Sequence, residues 1–282
     1  MKTLFKKITK FFVTFIIKFL LSFNAGRYII DLIIERVSYQ KVGISYKKFK
    51  YTFYTPNRLN YFRAKTFLTK EPETIEWIEN FDKDSIFWDV GANIGLYSCF
   101  ASKEKNTKTY AFEPSMFNLE LLSKNIFSNN LSDKIIIIPI SLNDKSMVSS
   151  FNMSNIEVGG SMSTFSEKYS HDGKSFKPVF YYKTLGVSGN DFVSKLNIEK
   201  PDYVKIDVDG IEHLILNGVT EILNNTKSIL IEVNENFELQ KENVKSFLEN
   251  KGFVLESKKQ SDMIKSSGYN SAVFNQIWSK KL

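Results

Sequence analysis

Thirteen of the twenty positions between residues 4 and 23 are Phe, Ile, Leu or Val, and Thr3, Lys7, Lys10, Thr14, Lys18 and Ser22 recur every three or four residues. On a helix that spacing gathers the polar residues into one narrow stripe and leaves a broad apolar face. A second helix is expected from Arg27 to Val37, followed by an alternating stretch, Tyr46 to Tyr54, that reads as a strand or hairpin. Pro72, the acids beside it and the inward spacing of Ile75, Trp77 and Ile78 predict a helix over residues 71–80. Beyond it, short apolar runs alternate with stretches of helical period, the pattern of an α/β chain. The runs lie at residues 86–90, 109–112, 135–140, 203–206 and 228–233, then from Phe253 to Glu256 and from Ser271 to Trp278. The helices between them are marked by Leu96, Cys99 and Phe100, by Leu119, Leu122 and Ile126, by Leu214, Ile215 and Val219, and by the stretch from Lys241 to Asn250.

Three parts follow from this pattern: a helical extension over residues 1–43, a strand and helix over 44–80 that lead into the core, and a main domain over 81–282. Residues 144–182 interrupt the main domain. They are rich in Ser, Gly, Asn and Tyr, contain Gly159-Gly160, Asp172-Gly173 and Pro178, and far exceed an ordinary connection. Such an insertion is expected to form a lid or hairpin on the ligand side of the sheet, contributing to an acceptor pocket. His171, beside Asp172-Gly173, reads as a turn residue.

Charge sharpens the division. The chain of 282 residues carries +7 overall, but residues 1–70 hold 15 Lys and Arg against 2 Asp and Glu, leaving 23 against 29 for the rest. The basic extension, not the main domain, therefore seeks an acidic partner. If the first helix crossed a bilayer, burying Lys10 and Lys18 would cost about 2.5–3.5 kcal/mol each. Lying in the interface, with lysines toward anionic headgroups, avoids that cost, so residues 1–23 are expected to bind a membrane surface at its cytoplasmic face. Packing on the protein's own domain or a second subunit, a true span and a signal segment stand as the alternatives. The Tyr, Phe and basic residues mixed between 25 and 80 also suit single-stranded nucleic acid, but a strand with a solvated basic edge accounts for them and no nucleic acid is expected. The single cysteine, Cys99, excludes an intrachain disulfide, fits a reducing compartment and reads as a core residue.

Candidate chemistry gathers at strand ends. The run ending Trp88-Asp89-Val90 meets Gly91 and Gly95, which let the backbone turn sharply and a ligand approach its amides at the start of the next helix. Asp89 then stands where an open α/β sheet receives its ligand. Glu113, 24 residues on at the end of the second run, is placed to bond both hydroxyls of a ribose. The G-x-G-x-x-G spacing that seats a pyrophosphate is absent, so a dinucleotide is not indicated. Ser141 and Asn143 follow the third run near the expected position of an adenine, Asn143 reading as a turn residue. The fourth run delivers Asp207, beside Asp89 across the crevice, as the first choice for a general base, with Glu212 second. Asp209 is equally suited to capping the following helix. Asn234 ends the fifth run as a donor to the acceptor, while Glu232, inside that strand, is expected to pair with a buried donor. Asp207, Asp209, Glu212, Glu232 and Glu235 offer oxygens to Mg²⁺, but nothing in their spacing requires one and no metal is expected.

The stretches from Asp89 to Ser98, from Ala111 to Ser115, from Tyr203 to His213 and from Ile229 to Asn234 resemble, in order, the motifs of the FkbM-type S-adenosylmethionine-dependent methyltransferases. The resemblance covers about residues 71–278, and four ordered motifs are far more specific than one. It implies the doubly wound, Rossmann-like, seven-stranded class I methyltransferase fold, with S-adenosyl-L-methionine held by Asp89, Gly91, Ala92, Asn93, Gly95, Tyr97, Glu113, Ser115 and Ser141. It also implies O-methylation, with a sugar or glycan acceptor met by Asp207, Glu212 and Asn234; a surface polysaccharide or glycolipid precursor is the expected setting. A soluble natural product as acceptor, and a scaffold that binds cofactor without turnover, are the alternatives.

Overall fold

The computed structural model describes residues 2–260, 262–267 and 272–280. Two helices, α1 (Lys2–Leu20) and α2 (Asn24–Ser38), precede a hairpin of β1 (Lys41–Tyr46) and β2 (Phe49–Tyr54), then α3 (Arg58–Thr66) and α4 (Pro72–Glu79). The alternating unit follows: β3 (Ile86–Val90), α5 (Leu96–Lys105), β4 (Lys108–Phe112), α6 (Met116–Ser128) and β5 (Ile135–Ile138). Next come β6 (Ser141–Asn143), β7 (Met147–Met153), β8 (Ser163–Phe165), β9 (Phe180–Ser188) and α7 (Gly189–Leu196). The chain ends through β10 (Tyr203–Ile206), α8 (Glu212–Gly218), β11 (Ser228–Asn234), α9 (Glu238–Asn250), β12 (Phe253–Lys259), α10 (Asp262–Ser267) and β13 (Val273–Lys280). Ser271, expected to open the last strand, lies outside the described residues.

The main sheet has seven strands in the order β12-β13-β11-β10-β3-β4-β5, and only β13 runs against its neighbours. The chain leaves β3 toward β4 and β5 and returns to its other side with β10, which opens a crevice at the carboxyl ends of β3 and β10. Alternation along β3 divides the core: Trp88 and Val90 pack under α7 and α8, while Phe87 faces Trp77 and Ile78 of α4 and Phe100 of α5. Cys99 is fully buried in this second layer.

Several elements depart from the sequence reading. Of the two readings for Tyr46 to Tyr54 the hairpin holds, but it begins earlier: the chain reverses at Lys47, whose φ is +48°, and pairs with residues from Lys41 on. The expected boundary between 43 and 44 therefore cuts through β1. Val42, Tyr51 and Phe53 are buried with the main core, so the hairpin belongs to it. The third run stops at Ile138 because Pro139 has no N–H for the ladder. Ser141 and Asn143 then form β6, which joins a second sheet in the order β6-β9-β7-β8. Residues 144–182 supply two strands of that sheet and begin a third. By contrast, α1 and α2 leave the core: α1 packs on α2, and Phe5, Phe11 and Tyr28 stay 71%, 69% and 65% exposed. Among the described residues no helix is long and apolar enough to cross a membrane.

Candidate active site

The loop after β3 is shaped by what lies beside it. Gly91 has φ +86°, and a Cβ there would come within 1.9 Å of the Asp207 carbonyl oxygen, so β10 and the loop touch backbone to backbone. The N–H groups of Gly91 and Ala92 both donate to the Phe112 carbonyl at 3.0 Å, tying the loop to the end of β4. Asn93, with φ +51°, donates its N–H to Glu113 Oε2 at 2.8 Å, and Ser115 N–H donates to Glu113 Oε1 at 2.7 Å. Burial pushes the Glu113 carboxyl up to about 8, against the pull of these two bonds.

These residues border a cavity of about 520 Å³ at the crevice. Gly91, Asn93, Glu113, Ser115, Ser141 and Asp207 all line it. The hydroxyls of Ser115 and Ser141 are buried with no hydrogen-bond partner among the described residues. A nucleoside fits here. Glu113 keeps acceptor capacity for ribose, the serine hydroxyls supply polar contacts, and Ile140, Leu142 and Phe112 give an apolar bed. The insertion closes the opposite wall with Phe151, Phe165 and residues 160–163.

Asp207 donates its N–H to the Val90 carbonyl at 3.0 Å, and its carboxylate pairs at 2.6 Å with Lys205, one strand position pair back on the same face. Lys205 is 1% exposed. Burial works against its charge, but Asp207, Asp89 and Glu71 more than offset this and raise its pKa. Around it lies a buried polar layer: Tyr97 donates to Glu71 at 2.9 Å, Lys70 pairs with Glu71 at 2.6 Å, and the Lys205 ammonium sits 5.4 Å from the Tyr97 ring centre.

Six expected site residues are not in the cavity wall. Asp89 is buried beneath the crevice, accepting from Ser98 Oγ at 2.5 Å. Ala92 is packed in the core, Gly95 opens α5 at φ +79° against Leu122, and Tyr97 turns toward Glu71. Glu212 is fully buried and accepts from the N–H groups of Val208 and Gly210, each at 3.1 Å, and from Gln240, so it staples its own loop. Asn234 Nδ2 donates to the His171 carbonyl at 3.0 Å and so tethers the insertion.

Two acids behave otherwise than expected. Asp209 caps no helix; it accepts from Met162 N–H at 2.6 Å and holds the insertion over the cavity. Glu232 lines the cavity and has no hydrogen-bond or ion-pair partner among the described residues, because its strand position, next after the Ile206–Ile231 pair, brings it beside Asp207. Burial raises its pKa well above the carboxylate range, and Asp207 and Asp209 add to the effect.

Lys205, Arg63 and Lys70 escaped the sequence reading. For Lys205 a signal exists: a lysine inside an apolar strand two residues before Asp207 must share its face. Arg63 and Lys70 reach the cavity from α3 and the loop after it, a part of the chain with no motif.

The methyltransferase FkbM domain model matches residues 89–255. The chain is 31% identical over 156 residues to the hexuronic acid methyltransferase AglP of Haloferax volcanii, covering 55% of this chain and 59% of that one. It thus spans about three fifths of that curated relative. Among solved structures, it resembles a precorrin-6y C5,15-methyltransferase of Geobacter metallireducens at 15% identity, with a TM-score of 0.44 over 75% of this chain and 87% of the other. It also resembles M. jannaschii TYW2, solved in complex with AdoMet, at 15% identity and a TM-score of 0.44 over 86% of this chain and 88% of the other. The match of the domain model over most of the alternating unit, from Asp89 to Leu255, makes the chain a member of the FkbM methyltransferase family, with S-adenosylmethionine as its cofactor.

Proposed function

We propose that the protein transfers a methyl group to a hydroxyl of a sugar in a surface polysaccharide or glycolipid precursor, working from the cytoplasmic face of a membrane against which α1 and α2 lie. The observation that carries the reading is the single cavity running from Glu113 to Asp207 and Glu232. At one end Glu113 and Ser115 would hold the nucleoside, and Gly91 lets the loop that carries Asn93 pack directly on the end of β10. When bound, S-adenosylmethionine supplies an electrophilic methyl carbon on a sulfonium centre. Asp207 would orient the acceptor hydroxyl and take its proton. Lys205 aims the Asp207 carboxylate through its 2.6 Å ion pair. The insertion, latched by Asp209, excludes water from the transfer.

A sugar acceptor is supported by the name of the relative, a hexuronic acid methyltransferase. The membrane face is supported by the exposed apolar rings of α1 and α2 together with the basic excess of residues 1–70. Incubation with methyl-labelled cofactor and a panel of neutral and acidic glycosides tests the reaction. We expect label in a base-stable ether, lost in Asp207→Asn with cofactor binding retained. Label in a base-labile ester, or in none of the sugars, would reject hydroxyl transfer. Glu113→Ala should weaken cofactor binding by about 0.5–1.5 kcal/mol for each hydrogen bond lost, since burial holds this carboxyl largely protonated near neutral pH, as read in titration calorimetry.

A further inference from the structure

The cavity wall carries two cations whose task the reading above leaves open. Among its charged lining residues, Asp207 is answered by Lys205, Asp209 by Met162 N–H and Glu113 by two backbone N–H groups, while burial favours the protonated, uncharged form of Glu232. Lys70 is answered on one side by Glu71 at 2.6 Å. Arg63 has no carboxylate partner among the described residues; its only hydrogen bond is from Nε to the Gly159 carbonyl at 3.0 Å.

That one bond is made to a fixed point. Asn57 and Asn60 of the α3 start both donate to the Val158 carbonyl, at 2.9 and 2.8 Å, and Asn118 accepts from Gly159 N–H at 2.9 Å. Gly159 has φ +82°, and a Cβ there would meet Asn60 Oδ1 at 2.0 Å. The guanidinium is thus held by a locked loop while its remaining donors are unspent. Arg63, Lys70 and Asp207 all line this one cavity, so the two cations share it with the reacting end.

We propose that Arg63 and Lys70 form a carboxylate-binding subsite of this cavity, which deepens the sugar-methylation reading and rests on it. A guanidinium held at Nε presents parallel donors to a planar carboxylate, and the Lys70 ammonium on the wall of the same cavity adds a second charge. Two carboxylates enter the proposed reaction: that of the cofactor's methionine part, and that of a sugar acid. If the sugar acid is the one bound, its carboxylate is a handle and a neighbouring hydroxyl is the methyl acceptor.

Titration calorimetry on the full chain, Arg63→Gln and Lys70→Gln separates the sources. The probes are S-adenosylmethionine, its decarboxylated analogue and 5′-methylthioadenosine, then glucuronic acid against glucose with S-adenosylhomocysteine present. If the cofactor's carboxylate is bound, Arg63→Gln weakens S-adenosylmethionine about tenfold or more and leaves the decarboxylated analogue unchanged. If the sugar's is bound, the cofactor affinities hold and glucuronic acid weakens by a similar factor while glucose does not respond. Arg63→Lys should restore part of either loss. Unchanged binding of methylthioadenosine shows that the variant is folded. The subsite is overturned if carboxylated and carboxyl-free partners respond alike, or if no probe responds. A wild-type protein that binds cofactor through Arg63 but methylates no sugar would reject the acceptor reading and leave the subsite standing.

Discussion

Asp207 and Glu232 stand side by side at the ends of β10 and β11 and differ in what answers their charge. Lys205 pairs with Asp207, whereas Glu232 has no hydrogen-bond or ion-pair partner among the described residues and faces the cavity. Burial therefore favours the protonated form of Glu232 in the folded chain. Since its unfolded value is near 4.5, the folded chain holds this proton more tightly, and the associated stability is complete below that pH and falls as pH rises. Glu232→Gln mimics the protonated form at every pH. Its melting temperature should match the parent at pH 4 and exceed it at pH 8, both without cofactor; a constant difference across that range would mean that Glu232 does not titrate this way. The sequence pointed to Glu113 and Asp207 because acids at the ends of apolar runs are visible in order. It misjudged Glu232 and Glu212, since which carboxyl finds backbone N–H groups and which finds a cavity depends on how loops close. Glu212 meets Val208 and Gly210 through its own turn, and that turn hides it from the crevice.

Elements hold one another through side chains that imitate a strand. The outer edge of β2 is paired by α6: Asn125 Oδ1 accepts from Tyr54 N–H at 2.8 Å, and Asn129 both accepts from and donates to Thr52. Asn125 also donates to the Ile94 carbonyl at 2.8 Å, so one residue joins the hairpin, α6 and the cofactor loop. Asn125→Ala would leave a buried N–H and a buried carbonyl unanswered, each costing about 1–3 kcal/mol. Denaturant unfolding should show a loss of at least about 2 kcal/mol, and a loss within ±0.5 kcal/mol would mean that water replaces the amide. The helical spacing of α6 was legible in Leu119, Leu122 and Ile126, but the part played by Asn129 was not. Nothing in a local pattern announces that its amide faces an edge 77 residues earlier in the chain. The same limit explains the insertion: its Gly and Asn content marks turns, while β7 and β9 become strands through pairing across about thirty residues of separation.

Across the whole molecule, α1 and α2 stand apart from the core, whereas the rest of the basic segment, from β1 to α3, packs with it. The α1 and α2 helices pack on each other, and apolar rings such as Phe5, Phe11, Phe15 and Phe19 remain 60% or more exposed. A patch of this kind is costly in water and is relieved by an apolar surface. Lys7, Lys10 and Lys18 choose which surface, since near an anionic bilayer each contributes about 1 kcal/mol. The full chain should therefore sediment with vesicles of phosphatidylcholine and phosphatidylglycerol, less with phosphatidylcholine alone, and less again as salt rises. Replacing the three lysines by Gln should lower partitioning to the anionic vesicles by about a hundredfold. Phe11→Ser with Phe15→Ser should weaken binding to both kinds of vesicle. A form starting at Gln40 keeps β1 whole, which one starting at residue 44 would not, and should stay soluble, bind cofactor and ignore vesicles. If the full chain sediments equally with and without anionic lipid, the lysines do not steer it. If it forms a dimer by light scattering and leaves the vesicles alone, the apolar face of α1 and α2 belongs to a second copy, and the acceptor need not lie at a membrane.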